Sequence, residues 1–268
     1  MSDFLRTMAA SSRERAAAAK NTPLPGAARP VVPLRLGDFD VIAEIKDRSP
    51  AEGDLATADS DRSARALQYA AGGAAAISVL TEPGHFSGSL SHLEEVVAAV
   101  PDTPVMRKDF LVDPVQILEA RQAGASGVLL IVAMLDDKLL REMLDCAMEH
   151  DMFVLLESFD EDDLGRTTRL LDNAVDQERV DNAQLLIGVN TRNLRTLHVD
   201  PDRLQKLAPA LPAARCVAES GLHVAGDAAA VASLGYRLAL VGTALMRSED
   251  PAGLVAAMRA AGAAEAAA

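Results

Sequence analysis

The sequence predicts an α/β fold in which parallel strands and helices alternate along a chain of 268 residues. Short apolar runs rich in β-branched residues recur at regular steps, and stretches with the apolar spacing of helices separate them. Continuously apolar strands indicate a parallel sheet covered on both faces, with right-handed crossovers between neighbours. Eight such units close a (β/α)8 TIM barrel. The eight runs are DVIAEI, AAISVL, PVMRK, GVLLIV, FVLLES, LLIGVN, ARCVAES and LALVGT.

The segments between these runs have helical spacing. Residues 113–125 predict a helix that ends at a glycine, and the apolar residues that can share one of its faces are Val115, Ile117, Leu118 and Ala120. Amphipathic helices of this kind cover the outside of a parallel barrel. The same spacing predicts helices at 91–100, 136–150 and 224–235.

The first 38 residues do not fit the repeat. Residues 1–38 predict an extra N-terminal helical segment followed by a linker, because proline cannot continue a helix. We expect the barrel to occupy 39–262 and an alanine-rich tail to occupy 263–268, so that 1–268 forms a single domain. The prolines of the linker are Pro23, Pro25, Pro30 and Pro33.

Composition excludes several classes of protein. A formal net charge of -13 would repel a nucleic-acid backbone, so we expect no nucleic-acid partner. Cys146 and Cys216 belong to no CxxC pair and the histidines are scattered, which indicates a reducing compartment and no metal site. No signal peptide is recognisable, and the apolar run at 127–135 is too short to cross a membrane. We therefore expect a soluble cytoplasmic protein, and a monomer, since no exposed apolar helix face stands out.

Polar residues follow most of the predicted strands at their carboxyl ends. In a barrel of this class the active site forms at that end, from residues of several strands. The fourth run, GVLLIV, ends without a polar residue. The polar residues at the other ends predict one shared site, and they are Glu44, Lys46, Lys108, Glu157, Asn190, Glu219 and Ser220.

Glu44 and Lys46 lie two residues apart on the first strand, so they share one face. They point into the barrel mouth if Ala43 and Ile45 pack against the helices. A buried pair of opposite charges costs desolvation and is seldom kept for stability alone. The alternative interpretation is a purely structural ion pair. This interpretation explains one pair more easily than it explains ionisable groups at the ends of several strands.

Glycine and hydroxyl residues after the last two strands predict an anion site. ESGLH follows the seventh strand, and VGTALM follows the eighth at the start of a predicted helix. Exposed backbone N–H groups at such turns bind phosphate, and the seventh and eighth loops are the usual place for this in TIM barrels. The candidates are Gly221, Gly242 and Thr243, although Gly221 and Gly242 can also serve tight turns alone.

Seven segments resemble, in order and spacing, the motifs of the indole-3-glycerol phosphate synthase family. The likeness covers roughly residues 40–250, and AEIK together with RKDF is its most specific part. It implies a TIM barrel and a carbon–carbon lyase (carboxy-lyase) of tryptophan biosynthesis that works without metal or organic cofactor. The segments are IAEIKDRSP, ISVLTEPGHFSGS, PVMRKDF, VLLESFDEDDL, IGVNTRNL, AESGL and LVGTALM.

The resemblance also implies a reaction and residue roles. The family closes the pyrrole ring of 1-(2-carboxyphenylamino)-1-deoxyribulose 5-phosphate, a small anionic phosphosugar–anthranilate, with loss of CO2 and water. Lys108 is similar to the general acid, and Glu157 to the acid/base group of the dehydration. Lys46 resembles the lysine that orients the substrate carboxylate, with Glu44 beside it. Asn190, Glu219 and Ser220 match the surrounding polar ring, Arg192 a supporting basic residue, and Ser49, Gly221, Gly242 and Thr243 the phosphate site.

Five residues depart from the family pattern. Asp47 and Glu52 stand where basic residues are common, Ser158-Phe159 stands where Val-His is common, and Thr191 replaces a usual asparagine. Acids beside an anion site weaken binding unless they point outward. The alternatives are a non-catalytic or specialised paralogue that binds a related phosphosugar, and a barrel like phosphoribosylanthranilate isomerase. The second requires a cysteine after the first strand, and none stands near Lys46.

Overall fold

Eight parallel strands close into a barrel in the computed structural model of the protein, which describes residues 3–21, 29–49, 52–55, 61–172, 174–192, 194 and 200–267. Each apolar run of the sequence forms one barrel strand, so the predicted TIM barrel is confirmed. Two short strands, β2 and β3, form a separate antiparallel pair. The strands are β1 (Asp40–Ile45), β2 (Arg48–Ser49), β3 (Gly53–Asp54), β4 (Ala76–Leu80), β5 (Val105–Lys108), β6 (Gly127–Ile131), β7 (Phe153–Ser158), β8 (Leu185–Asn190), β9 (Cys216–Glu219) and β10 (Leu238–Val241).

The barrel strands follow each other in chain order, and β1 closes the ring by pairing with β10. The register aligns Ala43 with Val241 on one side of β1 and Glu44 with Ser78 on the other. Every residue of β1, β7 and β8 is buried, as expected for strands covered by side chains inside the barrel and by helices outside. The carboxyl ends of all eight strands therefore meet at one rim.

The helices begin where side chains can cap them. Asp113, Asp136 and Asp160 each accept a hydrogen bond from a backbone N–H of the first turn of the helix that follows. The helices are α1 (Asp3–Lys20), α2 (Arg62–Ala71), α3 (Pro83–Phe86), α4 (Leu90–Ala99), α5 (Pro114–Gln122), α6 (Asp137–Glu149), α7 (Glu161–Leu170), α8 (Ala174–Asp181), α9 (Arg203–Leu207), α10 (Ala225–Ser233), α11 (Thr243–Arg247) and α12 (Pro251–Ala266).

The chain termini refine the predicted boundaries. The extra N-terminal helix is present as α1, while the predicted linker prolines Pro23 and Pro25 lie outside the described residues. Helix α12 runs to Ala266 and takes in most of the predicted tail. That 1–268 forms a single domain stays a prediction. No helix among the described residues is long and apolar enough to span a bilayer.

The buried face of α5 differs from the prediction. Val115, Ile117 and Ala120 are buried as expected, but Gln116 is fully buried and Leu118 is only half-buried. The reason is that α1 packs against α5 from outside the barrel. The Gln116 side chain exchanges hydrogen bonds with Ser12 of α1 and accepts one from the Val112 N–H. A buried amide is tolerated there because its polar atoms are satisfied.

A buried ionic network fixes α1 to the end of β5. The Arg15 guanidinium donates two hydrogen bonds to the Asp109 carboxylate, at 2.8 and 2.9 Å. Asp109 also accepts hydrogen bonds from Thr81 at 2.8 Å and from Arg107 at 3.1 Å. Arg107 and Asp109 flank Lys108, and alternation along the strand sends them outward toward α1 while Lys108 points into the barrel. The N-terminal helix thus supports the strand end that carries Lys108.

We expect Asp109→Ala to lower the free energy of unfolding by about 3 kcal/mol, because it removes the buried carboxylate shared by Arg15 and Arg107 and leaves Arg107 only one ion pair, its 3.4 Å contact with Glu119. Urea denaturation of both proteins measures this. Asp137→Ala is the control, since the Asp137 carboxylate is 77% exposed in its ion pair with Arg166 and such pairs contribute at most about 1 kcal/mol. Equal losses in the two variants would contradict the buried network.

Candidate active site

A cavity of about 340 Å³ opens at the carboxyl ends of the barrel strands. Its volume is in the range of small-molecule sites. Every site residue predicted from the sequence lines this cavity, so the structure brings the whole predicted set together. The set comprises Glu44, Lys46, Ser49, Lys108, Glu157, Asn190, Arg192, Glu219, Ser220, Gly221, Gly242 and Thr243.

A chain of three charged side chains crosses one side of the cavity. Lys46 Nζ lies 2.6 Å from Glu44 Oε1, and Lys108 Nζ lies 3.4 Å from Glu44 Oε2. Burial by itself would raise the pKa of Glu44, but the two ammonium groups outweigh it and hold that pKa below its usual value. The Glu44 carboxylate therefore bridges lysines that follow or end two different strands. The alternative interpretation, an isolated structural ion pair of Glu44 and Lys46, does not describe this arrangement.

Lys108 lies among three carboxyl groups. Burial by itself lowers the pKa of Lys108, but Glu44, Glu157 and Glu219 together raise it above the ordinary value. The side chain is 19% exposed, so its ammonium group is reachable from the cavity. Lys108 is therefore a protonated donor at neutral pH that faces the space available to a ligand.

Glu157 and Glu219 form a buried pair of carboxyl groups. Both side chains are fully buried and lie within hydrogen-bond reach of each other, and none of their four carboxyl oxygens accepts a hydrogen bond from any other group among the described residues. Burial and the neighbouring Glu157 raise the pKa of Glu219 well above its ordinary value, and the Lys108 ammonium offsets only part of this. Buried polar atoms are normally satisfied, so this pair is arranged to meet a polar ligand.

The loops after β8 and β9 complete the polar rim. The Asn190 side-chain oxygen accepts a hydrogen bond from the Arg192 N–H at 3.0 Å, which orders the turn after β8. After β9, Ser220 and Gly221 have φ of 68° and 77°. A non-glycine residue in this left-handed region is strained, and such strain clusters at functional sites. The turn presents Ser220 and Gly221 to the cavity beside Asn190.

Gly242 lies where a side chain has no room. A Cβ atom at this position would overlap the Glu44 carboxyl and lie 2.9 Å from Lys46 Nζ. The φ of Gly242 is -117°, so the turn itself does not demand glycine. Close approach of the charged pair therefore explains this residue. The predicted helix after β10 is present as α11, which begins at Thr243.

A model of the indole-3-glycerol phosphate synthase family matches residues 32–258. The chain belongs to the indole-3-glycerol phosphate synthase family. A relative with that name from Nocardioides sp. is 48% identical over 227 residues, which cover 84% of this chain and 82% of the relative. Another from Parafrankia sp. is 45% identical over 224 residues, covering 83% and 78% respectively. The family predicted from the motifs is confirmed, and neither alternative is favoured.

Solved structures with low sequence identity share the fold. The 3-hexulose-6-phosphate synthase from Salmonella typhimurium has a TM-score of 0.63 at 16% identity, over 85% of this chain and 100% of that chain. The thiamine phosphate pyrophosphorylase from Pyrococcus furiosus has a TM-score of 0.57 at 14% identity, over 86% and 98%. At such identities the likeness shows the barrel architecture alone.

The two acidic departures from the indole-3-glycerol phosphate synthase pattern have different surroundings. Asp47 does not line the cavity, and its carboxylate pairs with Arg62 of α2 and lies 3.7 Å from His92 Nδ1. Glu52 does line the cavity, and its carboxylate lies 3.0 Å from Arg247 Nη2 at the end of α11. Asp47 therefore points outward, while the charge of Glu52 is balanced at the rim.

The apolar side of the cavity was not found from the sequence. Phe110 is the last residue of the RKDF motif, and its ring centroid lies 6.1 Å from that of Phe86 and 5.9 Å from that of Phe4 in α1. Apolar strand ends carry no distinctive sequence signal. The one available sign is that GVLLIV, which forms β6, ends without a polar residue. The apolar residues missed are Leu80, Phe86, Phe110, Leu129, Ile131, Leu194, Leu222, Leu240 and Val241, and the polar residues missed are Asp109, Thr191 and His223.

The predicted absence of a metal site remains an expectation. Among the residues that the structure describes, no group of three or more His, Cys, Asp or Glu side chains could hold a metal ion. Cys216 is buried, whereas Cys146 is only half-buried on α6. Its position on the outer layer of helices, where one helix face meets solvent, explains the difference.

We expect Glu219→Gln to change how stability depends on pH. A carboxyl whose pKa is raised on folding binds more protons in the folded state, so stability falls as pH rises from the unfolded value of about 4.3 through the folded pKa. The variant removes this fall, which is at most about 1.4 kcal/mol per pH unit. Urea denaturation from pH 5 to 8 should show that the stability of the variant rises relative to that of the wild type. The control Glu249→Gln changes an exposed residue and should have the same pH dependence as the wild type.

Proposed function

We propose that the protein converts 1-(2-carboxyphenylamino)-1-deoxyribulose 5-phosphate to indole-3-glycerol phosphate, the carboxy-lyase step of tryptophan biosynthesis. The observation that carries this proposal is the position of Lys108 between Glu44 and the Glu157–Glu219 pair, in one cavity of a chain that belongs to this family. The reaction needs a proton donor at a ketone oxygen and a separate acid/base group for the loss of water. The cavity contains both kinds of group on different strands.

Lys108 is the proposed general acid of ring closure. The aryl carbon that bears the carboxylate attacks the ketone carbon of the sugar chain, and the ketone oxygen takes the proton of the Lys108 ammonium. The carboxylates around Lys108 keep it protonated until negative charge develops on that oxygen. CO2 then leaves, and its bonding electrons restore the aromatic ring. Lysine suits this role better than arginine, because a guanidinium does not give up its proton.

The Glu157–Glu219 pair is proposed to carry out the dehydration. Two neighbouring buried carboxyl groups cannot both ionise without a large cost, so the pair holds a proton to higher pH than a single carboxyl does, and burial beside Glu157 raises the pKa of Glu219. The hydroxyl group formed in ring closure leaves as water when an acid protonates it, while a base removes a proton from the new ring. Glu157 is the proposed acid/base group, and Glu219, which the resemblance places only in the surrounding polar ring, is proposed to share its proton with Glu157.

The remaining polar residues are proposed to bind the substrate. Lys46 orients the substrate carboxylate, and Glu44 holds both lysines charged. Asn190 and Ser220 position the sugar hydroxyl groups and the anthranilate amine. The phosphate is bound by backbone N–H groups and hydroxyls at the rim, with Arg192 in support, and the residues concerned are Ser49, Gly221, Gly242 and Thr243.

The apolar side of the cavity is proposed to hold the benzene ring. Phe86, Phe110, Leu129 and Ile131 form a wall opposite the phosphate loops. An aromatic ring gains from burial against such side chains, and edge contacts with phenylalanine add to this. The substrate would then lie with its ring on the apolar wall and its reacting carbons beside Lys108.

The cellular setting is also a proposal. A reaction on a small anionic substrate needs no nucleic acid or membrane, and the acidic net charge of -13 is unfavourable for binding nucleic acid. We propose that the protein acts in the cytoplasm, as a monomer, and without metal or organic cofactor.

Lys108→Ala should lower kcat by about 10²- to 10⁴-fold, the usual contribution of a general acid. Purified protein would be incubated with the carboxyphenylamino-deoxyribulose phosphate, and the indole fluorescence of the product followed. Lys138→Ala is the matched control, because the Lys138 side chain is 88% exposed on α6. Wild-type turnover by Lys108→Ala would remove the proposed acid. Absence of turnover in the unmodified protein would refute the proposed function itself.

Glu157→Gln should slow the dehydration more than the decarboxylation, because the amide cannot exchange a proton with the ring or the leaving hydroxyl. The rates of CO2 release and of indole fluorescence would be measured in parallel during a single turnover. We expect CO2 to appear before the fluorescent product in the variant. The exposed Glu161→Gln on α7 should behave as the wild type. Two coincident and unimpaired rates in Glu157→Gln would exclude the assigned role.

A further inference from the structure

Gly188 lies on β8, the strand between β7, which carries Glu157, and β9, which carries Glu219. It is in the middle of β8, where it pairs in register with Glu157 of β7 and with Val217 of β9. Paired residues of parallel strands face the same side of the sheet, so the missing side chain of Gly188 faces the barrel interior as Glu157 does. Asn190, two residues further on, lies on the same face and lines the cavity.

The Glu219 side chain occupies the space above Gly188. A Cβ atom at this position would overlap Glu219 Oε1 and lie 3.1 Å from Glu219 Cδ. From below, it would also lie 3.1 Å from Leu155 Cδ1. Leu155 is fully buried, so it cannot move aside freely. A side chain at position 188 would therefore displace the Glu219 carboxyl rather than the layer beneath it.

We infer that Gly188 is a positioning residue for the acid/base pair: by lacking a side chain, it lets the Glu219 carboxyl lie in the barrel interior beside Glu157. This inference rests on the proposed function for its catalytic consequence, while the steric part stands on the geometry alone. Neither the sequence motifs nor the family match gives Gly188 a role.

Displacement of Glu219 has a specific chemical consequence. Burial next to Glu157 raises the pKa of the Glu219 carboxyl, so this group holds its proton to higher pH than an ordinary carboxyl does. A carboxyl pushed toward the cavity mouth is better solvated and further from Glu157, so its pKa falls toward the ordinary value. The enzyme then loses the protonated member of the pair at a lower pH, and kcat declines earlier on the alkaline side.

The first test compares two single variants, each of which adds one methyl group at a glycine. Gly188→Ala should lower kcat by about 10- to 100-fold with little change in KM, and should move the alkaline limb of the kcat–pH profile to lower pH. Gly165→Ala on α7 is the matched control, since a Cβ atom there meets only Arg169 Nη1 at an ordinary 3.6 Å. An unchanged pH profile in a folded Gly188→Ala protein would overturn the inference.

A second test does not depend on activity. If the overlap with Glu219 is the cause, Gly188→Ala should lower the urea midpoint strongly in the wild type and much less in a Glu219→Ala background. Restored folding in the double variant supports the inference even where Gly188→Ala alone does not fold. An equal loss in both backgrounds would overturn it, because the clash would then involve Leu155 or the backbone. Neither result bears on which substrate the protein uses, so this test separates the inference from the proposed function.

Discussion

The balance of charge inside the barrel mouth is the constraint on which the rest of the site depends. Glu44 is buried between Lys46 and Lys108, and its carboxylate offsets two ammonium groups at once. A buried ion without such partners would cost several kcal/mol, so the three groups must be placed together or not at all. The Glu157–Glu219 pair meets the same constraint differently, because it keeps a proton where two adjacent negative charges would be too costly.

The strand that carries Lys108 serves the outside of the barrel as well as the inside. Arg107 and Asp109 point outward, where Arg15 of α1 completes a buried network, and Lys108 points inward between them. Arg107, Lys108 and Asp109 are consecutive, so the outward contacts of the first and third residues also fix the position of the inward-facing second one. Docking of the N-terminal helix and placement of the proposed acid are therefore properties of one short segment. Phe110, the next residue, adds the apolar wall and a ring contact with α1.

Space limits the site as strictly as charge does. The charged side chains lie so close to the barrel wall that two positions beside them carry no side chain, Gly188 next to Glu219 and Gly242 next to Glu44. Neither glycine is required by a left-handed φ, since only the close approach of a carboxyl explains them. Packed interiors do not yield easily, so a methyl group there changes where a carboxyl sits and with it the pKa that the carboxyl has.

The sequence by itself determined the eight strands, the polar strand ends and the family, because buried parallel strands are continuously apolar and side-chain direction alternates with a fixed period of two. Only the tertiary structure decided the directions of loop residues: Asp47 turns outward to Arg62, while Glu52 faces the cavity and meets Arg247. It also decided that α1 is held through Asp109 and that apolar strand ends form one wall. These features depend on partners distant in the chain, which no local period can specify.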